Sequence, residues 1–200
     1  MKNILFTLAL LISFSSFGQT AEEYLVSGYD KAQAKDFYGA ISDYTKAIEL
    51  YPNYAMAYSS RGSAKHNLKD FNGAISDYTK AIEINPNDTA AYSNRGVSKN
   101  NLKDYYGAIS DYTKAIEINP NFATAYSNRG MSKRGLKDVN GAISDFTKAI
   151  EINPNDATAY SNRALSKEFL GDLTGACADA KKAISLGGKL LVKWAASNCN

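Results

Sequence analysis

Apolar residues recur along this chain with the spacing of amphipathic helices. The clearest stripe consists of Ala74, Ile75, Tyr78, Ala81 and Ile82. Their spacing of i, i+1, i+4, i+7 and i+8 predicts a helix with one apolar face, which we call helix B. Asp70 is placed to cap the start of this helix, and Asn85-Pro86 to end it.

A second, more polar helix is predicted ahead of helix B, and we call it helix A. Tyr58, Gly62 and Leu68 fall on one side of it, and the turn at residues 67–70 joins the two helices. The pair then recurs, since the four prolines are 34 residues apart: Pro52, Pro86, Pro120 and Pro154. A unit repeated at a fixed period of this length cannot bury its apolar face alone, so the units are expected to stack.

Small residues recur where helices A and B would cross. On helix A they are Gly28, Gly62, Gly96, Gly130 and Ala164, and on helix B they are Ala40, Ala74, Ala108, Ala142 and Ala176. A glycine inside a helix costs about 1 kcal/mol relative to alanine, so its recurrence needs a compensating benefit. Close approach of the paired helices supplies one, and the pattern therefore predicts a tight helical hairpin.

This 34-residue unit resembles the tetratricopeptide repeat (TPR), a helix–turn–helix with an aromatic residue, glycine, alanine, a second aromatic residue, alanine and proline at fixed places. Here the pattern is carried by Tyr58, Gly62, Ala74, Tyr78, Ala81 and Pro86, and by their counterparts one period away. The resemblance covers units at residues 21–54, 55–88, 89–122, 123–156 and 157–190. It implies an all-α, right-handed superhelical solenoid of five TPR units.

The end of the fifth unit departs from the pattern, because Gly187-Gly188 replaces Asn-Pro. Residues 191–200 follow, and Leu190, Leu191, Trp194 and Ala195 would share one helical face, which predicts a C-terminal capping helix. Cys177 and Cys199 are the only cysteines. An even number in an exported chain favours a disulfide between them, and two buried thiols are the alternative.

Export is predicted from residues 1–18, where Lys2 precedes an apolar run that ends in Ser and Gly. A membrane anchor is the alternative, but the run is shorter than the roughly 20 residues that span a bilayer. Cleavage after Gly18 would leave a periplasmic or secreted protein without stable membrane insertion. The net charge of +3 arises from charges of alternating sign and includes no basic block, so nucleic-acid binding is not expected.

No catalytic or cofactor site is predicted. The sequence has no glycine-rich phosphate loop, no metal-spaced Cys/His cluster and no nucleophile motif. His66, the single histidine, has Asn100, Arg134 and Glu168 as counterparts, so we assign it to a variable surface column. The recurring arginines Arg61, Arg95, Arg129 and Arg163 are either functional cations or structural partners of the helix-B aspartates Asp43, Asp77, Asp111, Asp145 and Asp179. Ion pairing is favoured.

In the TPR family the helices A line a concave groove that usually receives a peptide, and the resemblance places a groove here. Its lining would be Ser59, Ser93, Asn94, Val97, Ser127, Asn128, Met131, Ser161, Asn162 and Leu165. Asparagine can donate to and accept from a peptide backbone, and the apolar column offers side-chain pockets. The alternative is that these residues are ordinary solvated surface. The family's clamp for chaperone C-termini uses lysines where this chain has serines, so that activity is not expected.

The sequence therefore predicts a non-enzymatic scaffold that binds another protein or a peptide in the concave groove. The alternative is a structural spacer, or a self-associating element of a cell-envelope assembly. The first unit adds an apolar patch, Leu25, Val26 and Tyr29, where the later units are mostly polar.

Overall fold

The computed structural model describes residues 19–199, and these residues form eleven α-helices and no strand. The predicted signal sequence at residues 1–18 lies outside the described residues. The helices A are α1 (Ala21–Gln33), α3 (Ala55–Asn67), α5 (Thr89–Asn101), α7 (Ala123–Gly135) and α9 (Ala157–Phe169). The helices B are α2 (Phe37–Leu50), α4 (Phe71–Ile84), α6 (Tyr105–Ile118), α8 (Val139–Ile152) and α10 (Leu173–Ser185). The last helix is α11 (Val192–Asn198). Within the described range, no helix has both the length and the apolarity needed to cross a membrane.

The helices pack as five consecutive hairpins, and α11 closes the C-terminal end. Each helix B contacts its own helix A and the helix A of the next repeat. Successive helices A also touch, whereas no two helices B touch within residues 19–199. The A helices therefore line the inner side of the curved stack. The predicted all-α superhelical solenoid of five TPR units with a C-terminal capping helix is confirmed.

Glycines on helix A accommodate the aromatic rings of helix B. A Cβ atom added to Gly62 would lie 3.0 Å from the ring of Tyr78, and one added to Gly28 would lie 2.6 Å from the ring of Tyr44. Both tyrosines are only 2% exposed. Burial raises the pKa of the Tyr78 hydroxyl to about 12. The expected tight crossing is confirmed, and its physical cause is the ring on the partner helix.

The A–B turns have a fixed local geometry. Asp70 caps α4 by accepting a hydrogen bond from the Gly73 amide at 2.9 Å, as predicted. Helix A ends in a Schellman motif, because the amide of Asp138 donates to the Lys133 carbonyl and that of Lys137 to the Arg134 carbonyl. Lys137 then has a φ of 65°, in the left-handed region. Its backbone direction is therefore set by the turn.

The fifth repeat and the cap share one core. Ala164 and Ala180 stand where earlier repeats have glycine and an aromatic residue, and they pack with Leu191 and Ala195. Trp194 Nε1 donates to Glu168 Oε1 at 2.6 Å. A disulfide joins Cys177 and Cys199.

One detail of the predicted cap is wrong. Leu190 precedes α11 and is 68% exposed, so it does not share the packed face with Leu191, Trp194 and Ala195. The helix begins at Val192, because Gly187 and Gly188 let the chain change direction before it.

Candidate protein-binding surface

A buried ion-pair network holds each of the helices A from α3 to α9 against two helices B. Arg61 donates from Nε and Nη2 to the two carboxylate oxygens of Asp77, at 3.0 and 2.8 Å. Its Nη1 donates to Thr45 Oγ1 of the preceding repeat at 3.0 Å. Lys65 lies 2.8 Å from Asp77 Oδ2. One guanidinium thus connects α2, α3 and α4.

The network recurs at every later repeat. The sets are Arg95 with Asp111, Thr79 and Lys99, then Arg129 with Asp145, Thr113 and Lys133, then Arg163 with Asp179, Thr147 and Lys167. The aspartates are at most 4% exposed. Bidentate Arg–carboxylate pairs are among the strong hydrogen bonds of proteins. The predicted structural ion pairs are confirmed, and these arginines are part of the scaffold.

Electrostatics in the last network favour the ionised carboxylate. Burial opposes ionisation of Asp179, but the hydrogen bonds and charges of Arg163 and Lys167 outweigh it and hold the pKa of this carboxyl below its usual value. The hydrogen bond to Asp179 likewise raises the pKa of Arg163. No buried polar side-chain atom within residues 19–199 lacks a partner.

The residues predicted to line the groove lie on the helices A α3, α5, α7 and α9, and we call the accessible surface of these helices the helix-A surface. Asn94 is exposed, and Ser59, Asn128, Val97, Met131 and Leu165 are partly exposed. The three later serines do not belong to this surface, because Ser93, Ser127 and Ser161 are 3–5% exposed. Ser161 Oγ instead donates to the Ala157 carbonyl at 2.8 Å. A serine is small enough to turn inward there, and this corrects the prediction.

Asn162 also departs from the expected accessible column. It is 7% exposed, and its Oδ1 accepts a hydrogen bond from Arg134 Nη1 at 3.3 Å. Its backbone carbonyl accepts from Ser166 Oγ at 2.8 Å. The asparagines therefore differ along the stack, from exposed Asn94 through half-buried Asn128 to buried Asn162.

The column assigned to variable surface connects neighbouring repeats instead. His66 Nδ1 lies 2.9 Å from Ser98 Oγ, and Asn100 Oδ1 accepts from Ser132 Oγ at 2.9 Å. Glu168 holds Trp194 in the cap. Burial lowers the pKa of His66, which favours its neutral form at neutral pH. The sequence signal for this column was the small residue at Ser98 and Ser132, 32 residues beyond His66 and Asn100.

The geometry indicates a scaffold with an accessible polar and apolar inner face. Within the described residues, no three His, Cys, Asp or Glu side chains are grouped closely enough to hold a metal ion. Lys80 and Glu83 form an ion pair 3.0 Å apart on helix B, and both side chains are exposed to solvent.

Solved structures with the same architecture are similar to this chain. A crystal structure of MamA is 27% identical, with a TM-score of 0.76, and the match covers 80% of this chain and 94% of that one. YrrB, described as a TPR protein with an unusual peptide-binding site, is 21% identical with a TM-score of 0.73, covering 88% and 91%. PilF of Pseudomonas aeruginosa is 19% identical with a TM-score of 0.77, covering 84% and 77%. No curated protein matches significantly.

The tetratricopeptide repeat model matches residues 55–88, 89–122 and 123–156, which is just over half of the 200-residue chain. These residues include α3–α8, which form three of the helical hairpins. The repeat pattern, the helix pairing and this match agree, and the chain belongs to the tetratricopeptide repeat family.

Proposed function

We propose that this chain is an exported, non-enzymatic scaffold that binds a segment of another protein along the helix-A surface. The carrying observation is the partly exposed apolar column Val97, Met131 and Leu165, which offers one side chain per repeat on the inner face. Asn94 and Asn128 lie beside it and can hydrogen-bond an extended backbone. YrrB shows that a protein of this fold can carry a peptide-binding site.

The polar side chains fall into those that stabilise the fold and those that remain accessible, and this supports the proposal. The arginines, lysines and aspartates of the networks are used by the fold, and the buried serines are satisfied internally. Asn94 is exposed, Asn128 is partly exposed, and neither belongs to these networks, so a ligand can reach them at small structural cost. Asn162 contributes differently, because its amide already contacts Arg134.

The experiment uses the mature chain as bait against proteins of the exported fraction and against a peptide array. We expect the double variant Asn94→Ala, Asn128→Ala to weaken ligand binding by roughly 1 kcal/mol per lost hydrogen bond, with little change in melting temperature. The control is Lys80→Ala, Lys114→Ala on the outer face, which should bind normally. Full binding by the asparagine variant would assign the ligand to another surface.

Export is tested separately. We expect the protein recovered outside the cytoplasm to begin near Gln19 by mass spectrometry, because residues 1–18 have the pattern of a cleaved signal. An intact N-terminus in that fraction would contradict cleavage.

Self-association remains the second candidate, and exposed apolar residues at both ends favour it. Val26 and Tyr29 are 54% and 57% exposed at the N-terminal end, and Leu190 is 68% exposed at the other. Sedimentation at increasing protein concentration separates the two candidates, because a peptide-binding scaffold has no need to assemble.

A further inference from the structure

A cavity of about 350 Å³ lies between the fourth and fifth repeats. Its walls are Val139, Leu165 and Phe169, and Arg134 and Lys137 also line it. Phe169 is 73% exposed and Leu165 is partly exposed, so these two walls can be reached from solvent, whereas Val139 is buried.

The cavity lies at a place that aromatic rings occupy at other junctions. The counterparts of Val139 are Phe37, Phe71 and Tyr105 in the three earlier repeats. The Tyr105 ring lies against Gly135 of the next helix A, where an added Cβ atom would come within 2.8 Å. Phe37 packs with the cluster that contains Ala64 of the next repeat. Val139 has no ring to reach α9, and Phe169, the counterpart of Gly135, is 73% exposed and does not fill the space, so the junction has room for a ring.

Positive charge stands beside this apolar space. Arg61, Arg95, Arg129 and Arg163 each pair with an aspartate, whereas Arg134 is the one arginine within residues 19–199 that makes no ion pair. It is partly buried and contacts the neutral amide of Asn162. Burial lowers the pKa of the Arg134 guanidinium, which nevertheless stays charged at neutral pH.

The carboxylates that neighbour Lys137 and Phe169 in the sequence already have hydrogen-bond partners. Asp138 accepts from the Gly141 amide at 2.9 Å, and Glu168 accepts from Trp194. Lys137 has a left-handed backbone conformation, and its side chain lines the same cavity. The partly desolvated guanidinium of Arg134 and the side chain of Lys137 can therefore bind an anion next to the apolar cavity.

We propose that this cavity binds an aromatic side chain of a partner peptide, with an adjacent Asp or Glu side chain of that peptide against Arg134 and Lys137. The partner ring takes the place of the ring that Val139 lacks, and the neighbouring carboxylate gives Arg134 an ion pair. This proposal rests on the proposed function. It specifies the partner sequence that is recognised, an aromatic residue next to an acidic residue at an internal position of the partner peptide.

The test measures binding of terminally blocked, fluorescein-labelled peptides with Phe-Glu or Glu-Phe at the centre. We expect at least one order to bind the mature chain, and replacement of its Phe by Ala to weaken binding about tenfold or more, since buried aromatic anchors dominate such contacts. Replacement of its Glu by Gln should weaken binding by about twofold to fivefold, the range for a partly exposed ion pair.

Two variants test the cavity from the protein side. Val139→Phe supplies the ring found at Phe71 and should abolish binding while preserving the fold, checked by the helical circular dichroism signal. Arg134→Asn adopts the residue at Asn100 and should weaken the Glu peptide while leaving the Gln peptide unchanged. Tyr106→Asn, at a side chain 77% exposed on another repeat, is the matched control and should bind normally.

The outcomes separate this proposal from the general one. If the chain binds other peptides through Asn94 and Asn128 but Val139→Phe has no effect, the scaffold function stands and the cavity assignment is overturned. Binding only of peptides with a free C-terminal carboxylate, or no binding of either central sequence, also overturns it. If Val139→Phe misfolds, equal weakening of the Glu and Gln peptides by Arg134→Asn overturns the charge pairing.

Discussion

The two ends of the solenoid meet solvent by different means. At the N-terminal end, α1 has Glu23 where the later repeats have alanines that are 0% exposed: Ala57, Ala91, Ala125 and Ala159. It has Asp30 where they have small residues at most 2% exposed: Ala64, Ser98, Ser132 and Ser166. Charged residues on the open edge keep it soluble and block stacking of a further repeat.

The C-terminal end is covered by an added element instead. Helix α11 packs Leu191 and Ala195 on Ala164 and Ala180, and the disulfide ties it to α10.

The ion-pair networks at the two ends also differ. Asp179 has Arg163 and Lys167, whereas Asp43 has Ser27 Oγ and Lys31 Nζ, each at 2.6 Å. Within residues 19–199 no helix B precedes α1, so an arginine in place of Ser27 would have no helix-B threonine to reach. The comparison indicates that the C-terminal repeat is stabilised by more interactions than the N-terminal repeat.

The largest expected effect compares equivalent positions at the two ends. Arg163→Ala leaves buried Asp179 with Lys167 alone and should lower the free energy of unfolding by about 3 to 5 kcal/mol. Ser27→Ala removes one hydrogen bond from Asp43 and should lower it by about 1 kcal/mol. Urea unfolding followed by far-ultraviolet circular dichroism measures both. Equal losses would show that the two ends are fixed alike.

The disulfide gives the next effect. It closes a separation of 22 residues, so replacing both cysteines by serine should lower the free energy of unfolding by roughly 3 kcal/mol in the chain-entropy model. Trp194, the single tryptophan, reports on the cap alone. In the serine variant its fluorescence should change at lower urea than the helical signal. Two titratable thiols in unreduced, unfolded protein would contradict the bridge.

The sequence was sufficient for the repeat architecture because each local signal is repeated. Asp70 at a helix start, Pro86 at a helix end and Gly62 opposite an aromatic residue agree in successive units, so one wrong interpretation would have conflicted with the others. The Arg–Asp networks followed from the same recurrence.

Contacts between repeats were harder to predict. Ser93 turned out to be buried and Asn162 to contact Arg134, because their environments depend on how neighbouring helices A are placed in the superhelix. The cavity beside Val139 had a sequence signal, a valine in a column of aromatic residues, but its meaning depends on what the ring contacts in the next repeat.

Acid should destabilise the ion networks at both ends of the solenoid, and this effect should be smaller than the two above. Burial opposes ionisation of Asp43 and Asp179, but Lys31 and Ser27, and Arg163 and Lys167, lower the pKa of each carboxyl below 3.8. The stabilisation is complete above about pH 5, where the carboxyls are ionised in both the folded and the unfolded state, and it is lost as the pH falls through the lower folded values.

Unfolding free energies measured between about pH 5 and pH 2.5 test this sign. Asp43→Asn and Asp179→Asn should each make the decline at low pH shallower, whereas Glu83→Gln, at an exposed carboxylate, should keep the original slope. A decline unchanged in both aspartate variants would mean that other carboxyls govern acid unfolding.

The smallest effect on stability should come from giving the N-terminal edge the sequence of an inner repeat. Glu23→Ala combined with Asp30→Ser reproduces the pair found at Ala91 and Ser98. Both original side chains are exposed, but Glu23 Oε2 accepts a hydrogen bond from the Thr20 amide at 2.8 Å at the start of α1, so the free energy of unfolding should fall by no more than about 1 kcal/mol. The edge would then present Val26 and Tyr29 without the flanking carboxylates, and we expect association of molecules that rises with protein concentration.

Sedimentation velocity of this variant measures the association. The control, Glu83→Gln with Glu117→Gln, removes the same number of carboxylates from the outer faces of α4 and α6, where they pair with Lys80 and Lys114. Association of the control to the same extent would assign the effect to net charge. Association of the edge variant alone would show that Glu23 and Asp30 do at the N-terminal end, by charge, what α11 does at the other by covering the core.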